Sequence, residues 1–217
     1  MAGPWPKVSS SSALASKSVN FADIVRSRRM SRSFSNQAVD ATVIASCIDL
    51  ASRAPSAGKS QGWHVLLLEN EDAQRYWDIA LPMERRNSFA FPRLLQAPVI
   101  ALSVCDPTAY LERYSEPDKQ ATGLGLGVEQ WPAPYWTIDA SFATMTFLLA
   151  LEDAQLGALF FAHSNEAALR SEFKIPDHIE ILGTIAIGHV DDEGSRVGRS
   201  ANRLRRSVES IIHRKNW

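Results

Sequence analysis

The stretch RSRRMSRSF, Arg26 to Phe34, sets four guanidiniums (Arg26, Arg28, Arg29 and Arg32) close together near the start of the chain. Arg28 and Arg32 are four apart, so they share a face of a helix and also one side of an extended chain. Two guanidiniums on one side form a bidentate anion clamp suited to a phosphate. The same residues also suit a solvated basic surface at a helix C-terminus, where the macrodipole favours cations. A second cluster, Arg199, Arg203, Arg205 and Arg206, lies near the other end. A patch that reads RNA needs aromatics interleaved for stacking. None occurs between Gly194 and Arg214, so a solvated basic tail is the better reading.

A different kind of signal lies in APSAGKSQGW, Ala54 to Trp63. A helix-like run stops at Pro55, and small residues carry the chain into the apolar run WHVLLLE. Gly, Pro and Ser suffice for a turn there; Lys59 and Gln61 set among them imply that the loop holds something. Three other signals are weaker. GLGLG, Gly123 to Gly127, lacks the strand before and the helix after that a dinucleotide loop needs, and reads as a hinge in a mobile lid. The five histidines have no HxxxH or HExxH spacing, so no metal centre is expected. There is no G-x-S-x-G elbow to support a serine hydrolase.

These residues need elements to position them. Asn20 can cap a short helix, FADIVRSR, and Asp40 a second, ATVIASCIDLAS, whose apolar residues recur at helical spacing until Pro55 ends it. WHVLLLE reads as a strand buried on both faces, followed by weak helices around 71–80 and 84–96. APVIALSVC is a second buried strand. From 110 to 136 the pattern dissolves into charges, glycines, prolines and aromatics. A loop this long is usually functional or disordered, and its tryptophans argue against disorder. Thr137 is the expected cap of the longest helix, IDASFATMTFLLALEDAQ. GALFFA is a third strand, Ser164 the expected cap of NEAALRSEF, and EILGTIAIGHV a fourth strand. The mixture lacks a strict βαβ rhythm and indicates α+β layering in one domain.

The totals bound the function. A chain of 217 residues with 45% hydrophobic and 22% charged residues is an ordinary globular protein with a full core. A net charge of −1 gives no global attraction to nucleic acid or to an anionic membrane. Cys47 and Cys105, each within an apolar segment, read as buried thiols of a reducing compartment. Residues 1–19 are Ser-rich, lack a signal-peptide core and read as a flexible tail. No stretch approaches the roughly 18 apolar residues of a membrane span. The expected location is the cytoplasm, with neither nucleic acid nor membrane as partner.

Taken in order, RSRRMSRSF, APSAGKSQGW, APVIALSV, the helix after WTIDAS, IPDHIEILGTIAIGHV and RRSVESIIHRKNW resemble the nitroreductase family of FMN-dependent oxidoreductases. The resemblance covers about residues 20 to 217. It implies an α+β fold, with a central, mainly antiparallel sheet wrapped by helices. It also implies an intertwined homodimer, with FMN at an interface built from both subunits and 203–217 extending toward the partner. The family's R-R-S-x-R falls on Arg28, Arg29, Met30, Ser31 and Arg32. Arg28 would hold the FMN phosphate, and Arg32 would lie toward the ribityl chain and the N1–C2=O edge. The family's P-S-x-x-N-x-Q-P-W falls on Pro55, Ser56, Lys59, Gln61, Gly62 and Trp63, so this loop would border the flavin from the partner subunit. Ala162 and His163 match the segment beside the ring, and Arg205 matches the last phosphate arginine. Met30, Lys59 and Gly62 depart from the family's usual Ser, Asn and Pro.

The activity implied is NAD(P)H-dependent reduction of a nitroaromatic, a quinone or another small electron acceptor in two half-reactions, with no catalytic side chain because the flavin carries the chemistry. Trp131, Tyr135 and Trp136, from the 110–136 excursion and the residues that close it, would form an aromatic lid over the substrate. Fold alone leaves two alternatives: an FMN-dependent dehydrogenase or other specialised reaction on a particular metabolite, and a flavin-binding protein without catalysis.

Overall fold

A computed structural model describes residues 20–191, 198 and 202–217. The expectations for the 1–19 tail and for Arg199 lie outside the described residues. The continuous apolar run Val99–Cys105 forms β2, buried at all seven positions, as an interior strand must be. It pairs antiparallel with β1 (Trp63–Glu69) on one side and β4 (Glu180–Gly188) on the other. β4 in turn pairs antiparallel with β3 (Gly157–Phe161), which gives the order β1-β2-β4-β3. The expectation of a mainly antiparallel sheet holds. β1, expected to be buried on both faces, is instead an edge strand and mostly half-buried.

Helices cover both faces, and the two-residue period of β2 sorts its side chains between them. Ile100, Leu102 and Val104 join Tyr76 and Trp77 of α3 (Glu71–Ala80) and Leu169 of α7 (Glu166–Phe173). Val99 and Ala101 join Ile44 and Cys47 of α2 (Ala41–Ala51) and Phe147, Leu148 and Leu151 of α6 (Tyr135–Asp153). Each fully buried Leu, Ile or Phe contributes about 1.5–3 kcal/mol, so these two layers carry most of the folding energy. A directional chain of hydrogen bonds runs through the second layer. Trp63 Nε1 donates to Ser103 Oγ at 3.0 Å, and Ser103 lies 2.7 Å from Thr144 Oγ1. Thr144 in turn donates to Ala140 O at 2.7 Å. That last bond uses the threonine's proton, so Ser103 is the donor to Thr144.

The local signals succeed where capping is simple. Asn20 accepts from Ala22 N at the start of α1 (Phe21–Ser27), and Asp40 accepts from Thr42 N at the start of α2. Two caps differ from expectation. α6 begins at Tyr135 after Pro134, so Thr137 lies inside its first turn and donates to Glu180 Oε2. α7 is preceded by Asn165 in the left-handed region, while Ser164 donates to Ala80 O. In place of a helix over 84–96 there are only the one-turn α4 (Met83–Arg86) and a 3₁₀ turn at Pro92–Gln96. The 110–136 excursion is ordered: α5 (Thr108–Tyr114) followed by three short 3₁₀ turns.

Candidate functional site

The arginine stretch leaves α1 and runs out as an extended chain along β3. Met30 makes a parallel bridge to Ala158, and Ser31 N donates to Ala158 O at 2.9 Å. Of the two geometries that place Arg28 and Arg32 on one side, the extended one is realised. Arg28 is half-buried, and its Nη1 is buried without a hydrogen-bond partner among the described residues. A buried guanidinium donor left unmatched costs about 1–3 kcal/mol or more; an anion at this point would satisfy it. Arg32 donates from Nη1 to Met30 O at 3.0 Å and lies over the Phe91 ring at 5.6 Å. A Cβ on Gly198 would stand 3.0 Å from the same nitrogen, so this glycine lies close against the guanidinium. Met30 turns its sulfur to Phe160 N at 3.5 Å and packs into both core layers. Its side chain thus serves packing. Arg29 is exposed.

Among the described residues the second cluster shows no contact with the first. Arg203, Arg205 and Arg206 lie on a stretch, 202–217, that is exposed throughout, and Arg206 bonds back to Ser210.

The loop after α2 is shaped more tightly than its composition foretold. Gly58, Lys59 and Gln61 all have left-handed backbones, with φ of 59°, 60° and 55°. Ser56 Oγ accepts from Gln61 N at 3.1 Å. Asp139 Oδ2, on α6, accepts from Ala57 N at 2.7 Å and from Tyr110 Oη at 2.9 Å. Arg113 Nε donates to Gly58 O at 2.8 Å. Gly62 has a local reason to be glycine: a Cβ there would meet Asp106 O and the Tyr110 ring at 2.7 Å. Pro55, Lys59 and Gln61 are exposed, and Ser56 is half-buried. A cleft opens beside them, between the end of α2 and α6, with Trp63, Tyr110, Asp139 and Ala143 in its wall.

At the end of β3, Ala162 is exposed and His163 pairs through Nε2 with Glu166 Oε2 at 3.0 Å, while its Nδ1 is buried without a partner among the described residues. His163 first, then Arg170, holds the Glu166 carboxyl below the usual range. Of the three aromatics, Trp131 and Trp136 are buried and Tyr135 leaves 37% of its surface exposed. Trp131 donates from Nε1 to Leu124 O at 2.9 Å and meets Tyr110, Tyr114 and Trp136 edge-on. Trp136 donates to Glu180 Oε1 at 3.0 Å. Gly125 sits against the backbone of Tyr114 and Ser115, where a Cβ would come within 2.8 Å, so the middle of the glycine run is packed, while Gly123 is in open space. Sequence reasoning missed Asp139 and Arg113 as site residues. A buried aspartate on an otherwise apolar helix face was the available signal for the first.

Burial pushes both thiols up to about 12, with a further contribution from Asp153 at Cys47 and from Glu180 at Cys105. Among the described residues there is no group of three or more potential metal ligands, and no helix is long and apolar enough to cross a membrane.

Comparison with known proteins bears on this geometry. The family model described as "Nitroreductase family" matches residues 25–189. A provisionally named NADH dehydrogenase/NAD(P)H nitroreductase of Archaeoglobus fulgidus is 23% identical over 175 residues, covering 78% of this chain and 85% of that protein. Among solved structures, a nitroreductase family protein from Streptococcus pneumoniae superposes with a TM-score of 0.69 at 20% identity, over 90% of this chain and 100% of that one. The nitroreductase CinD from Lactococcus lactis, in complex with nicotinic acid, superposes with a TM-score of 0.65 at 18% identity, over 87% and 100%.

Proposed function

Because the chain belongs to the nitroreductase family and is an oxidoreductase of that fold, we propose that it is an FMN-dependent enzyme that uses NAD(P)H to reduce a nitroaromatic, a quinone or a similar electron-poor acceptor. The observation that carries the FMN assignment is the Nη1 of Arg28, buried and without a partner among the described residues, on an extended segment that also carries Arg32. The residues present fit the group. Arg28 would hold the phosphate, Arg29 and the backbone at Met30 would flank it, and Arg205 would reach it as the last arginine. Arg32 would supply positive charge toward the ribityl chain and the N1–C2=O edge, where reduction places negative charge. The loop at Pro55, Ser56 and Lys59 would border the ring, with Ala162 and His163 on another side. Bound FMN supplies the two-electron chemistry between nicotinamide and acceptor; the chain binds, orients and excludes water. Tyr135, with Trp131 and Trp136 behind it, would face the acceptor as the lid.

The working unit in this reading is a homodimer. Phe142 and Met145 on α6 and Leu50 on α2 are exposed large apolar residues. Leu204, Val208, Ile211, Ile212 and Trp217 add a further load on the exposed tail, and such surface is ordinarily covered. Two buried, unpaired cysteines accord with the cytoplasm. The experiment is to purify the protein, release its cofactor by heat and separate it chromatographically. FMN is expected; FAD, or no flavin after reconstitution, refutes the assignment. Stopped-flow mixing of the flavoprotein with NADH or NADPH then separates an enzyme, whose flavin bleaches, from a flavin-storing protein, whose flavin does not.

A further inference from the structure

The loop Ser56–Gln61 is unusual in carrying two non-glycine residues, Lys59 and Gln61, in the left-handed region. Each costs about 1–2 kcal/mol relative to a right-handed backbone. Such a conformation persists only where the surroundings over-determine it. Here two side chains from different elements grip peptide groups on either side of the Ala57–Gly58 link. Asp139, 7% exposed on α6, takes the Ala57 N–H, and Arg113 on α5 gives its Nε–H to Gly58 O. Arg113 is itself aimed, because its Nη1 and Nη2 bond the two Asp118 oxygens at 2.7 and 2.8 Å. Asp139 is likewise fixed by the Tyr110 hydroxyl, and the Tyr114 ring lies where a Gly58 Cβ would come within 2.9 Å.

We propose that Asp139 and Arg113 are positioning residues. They hold the left-handed loop so that the exposed Lys59 and Gln61 are presented to whatever stacks at the cofactor site. The excursion that carries Arg113 thereby acts as a buttress behind the loop, in addition to any role as a lid. This rests on the FMN reading for its functional consequence, whereas the clamp itself does not. Within the loop Ser56 also holds the Gln61 N–H, but the clamp is what ties the loop to α5 and α6, so releasing it shifts the Lys59 and Gln61 side chains without unfolding the core.

The test uses Arg113→Gln, which removes the fork from a residue outside the two core layers, and Asp139→Asn, with Arg113→Lys as the conservative partner. Amide deuterium exchange at 57–61 is followed in the purified full-length protein, and KM and kcat are measured for NAD(P)H and a quinone. Both disruptive variants should exchange roughly tenfold faster at 57–61, the scale of one lost charge-assisted hydrogen bond. KM should rise by a similar factor, with kcat and flavin content near wild type and partial recovery in Arg113→Lys. A merely structural role would lower flavin content and melting temperature and leave KM alone. Unchanged exchange overturns the clamp, and faster exchange with unchanged KM in a flavin-loaded enzyme overturns the positioning role. A protein that takes up no flavin refutes the functional reading, yet the exchange rates still decide the clamp.

Discussion

Two stretches of backbone meet the candidate site, and they are finished to different degrees. The loop at 56–61 has its peptide groups taken up by Asp139, Arg113 and Ser56 of the same chain. The extended arginine segment at 28–32 has its backbone anchored on β3, while among the described residues Arg28 has a buried donor without a partner, and Arg205 is exposed on the tail. One half of the site is therefore shaped by the fold alone. In the proposed reading the other half is completed by an anion and a second subunit. A substitution in the finished half should change geometry even without ligand; one in the unfinished half should leave the free fold intact and be felt only on binding.

The largest effect should come from removing what would complete the unfinished half. Deleting 207–217 takes away Val208, Ile211, Ile212 and Trp217, all exposed in the single chain. The expected product is monomeric or aggregated and poor in flavin, as sizing chromatography and the absorbance ratio at 450 to 280 nm would show, roughly as expected when an interface's apolar anchors are lost. A truncated protein that stays a fully flavinated dimer would break the comparison at its widest point. Next is Trp131→Ala, behind the finished half. Trp131 is 8% exposed and held by four aromatic neighbours. Its loss should cost about 3 kcal/mol and lower the melting temperature by roughly 6–12 °C. An unchanged melting temperature with a shifted acceptor KM would instead make this ring part of the lid.

The same division explains what could be read from the sequence. β2 was legible because a seven-residue apolar run fully buried in a sheet interior has one reading. β1 was misjudged because WHVLLLE looks the same on an edge as in the interior; only strand order decides, and that is a long-range property. For the arginine stretch the spacing left helix and extended chain open, and the bridge of Met30 to Ala158 selects the extended course. The clamp was not, since Asp139 and Ala57 are 82 residues apart and Arg113 and Gly58 are 55 apart. The start of α6 moved from Thr137 to Tyr135 because burial of Trp136 and Asp139 outweighs a cap signal. α5 was not read from the sequence: it starts after a turn in which Asp106 accepts from Thr108 N across Pro107, and composition alone reads that turn as loop.

The smallest effect expected is an absence of reaction. Cys105 lies in the aromatic cluster behind the loop and Cys47 in the α2–α6 layer, and burial pushes both thiols up to about 12. The thiolate is the reactive form, so at neutral pH a disulfide reagent should titrate neither thiol in the native protein and both after denaturation. Rapid labelling of Cys105 in the native state would show that the finished half opens, which would sharpen the comparison by locating motion there.

The measurement that bears most directly on the central claim compares FMN with riboflavin, which differ by the phosphate alone. Apoprotein is titrated with each, for the wild type and for Arg28→Ala, with Arg214→Ala as the control outside the matched positions. FMN should bind the wild type more tightly than riboflavin by about 1.5–3 kcal/mol, the scale of a charge-assisted contact. Arg28→Ala should erase most of that difference while leaving riboflavin binding and the melting temperature of the apoprotein unchanged, and Arg214→Ala should retain it. Equal affinity of the wild type for the two flavins, or an FMN preference that survives in Arg28→Ala, would contradict the account.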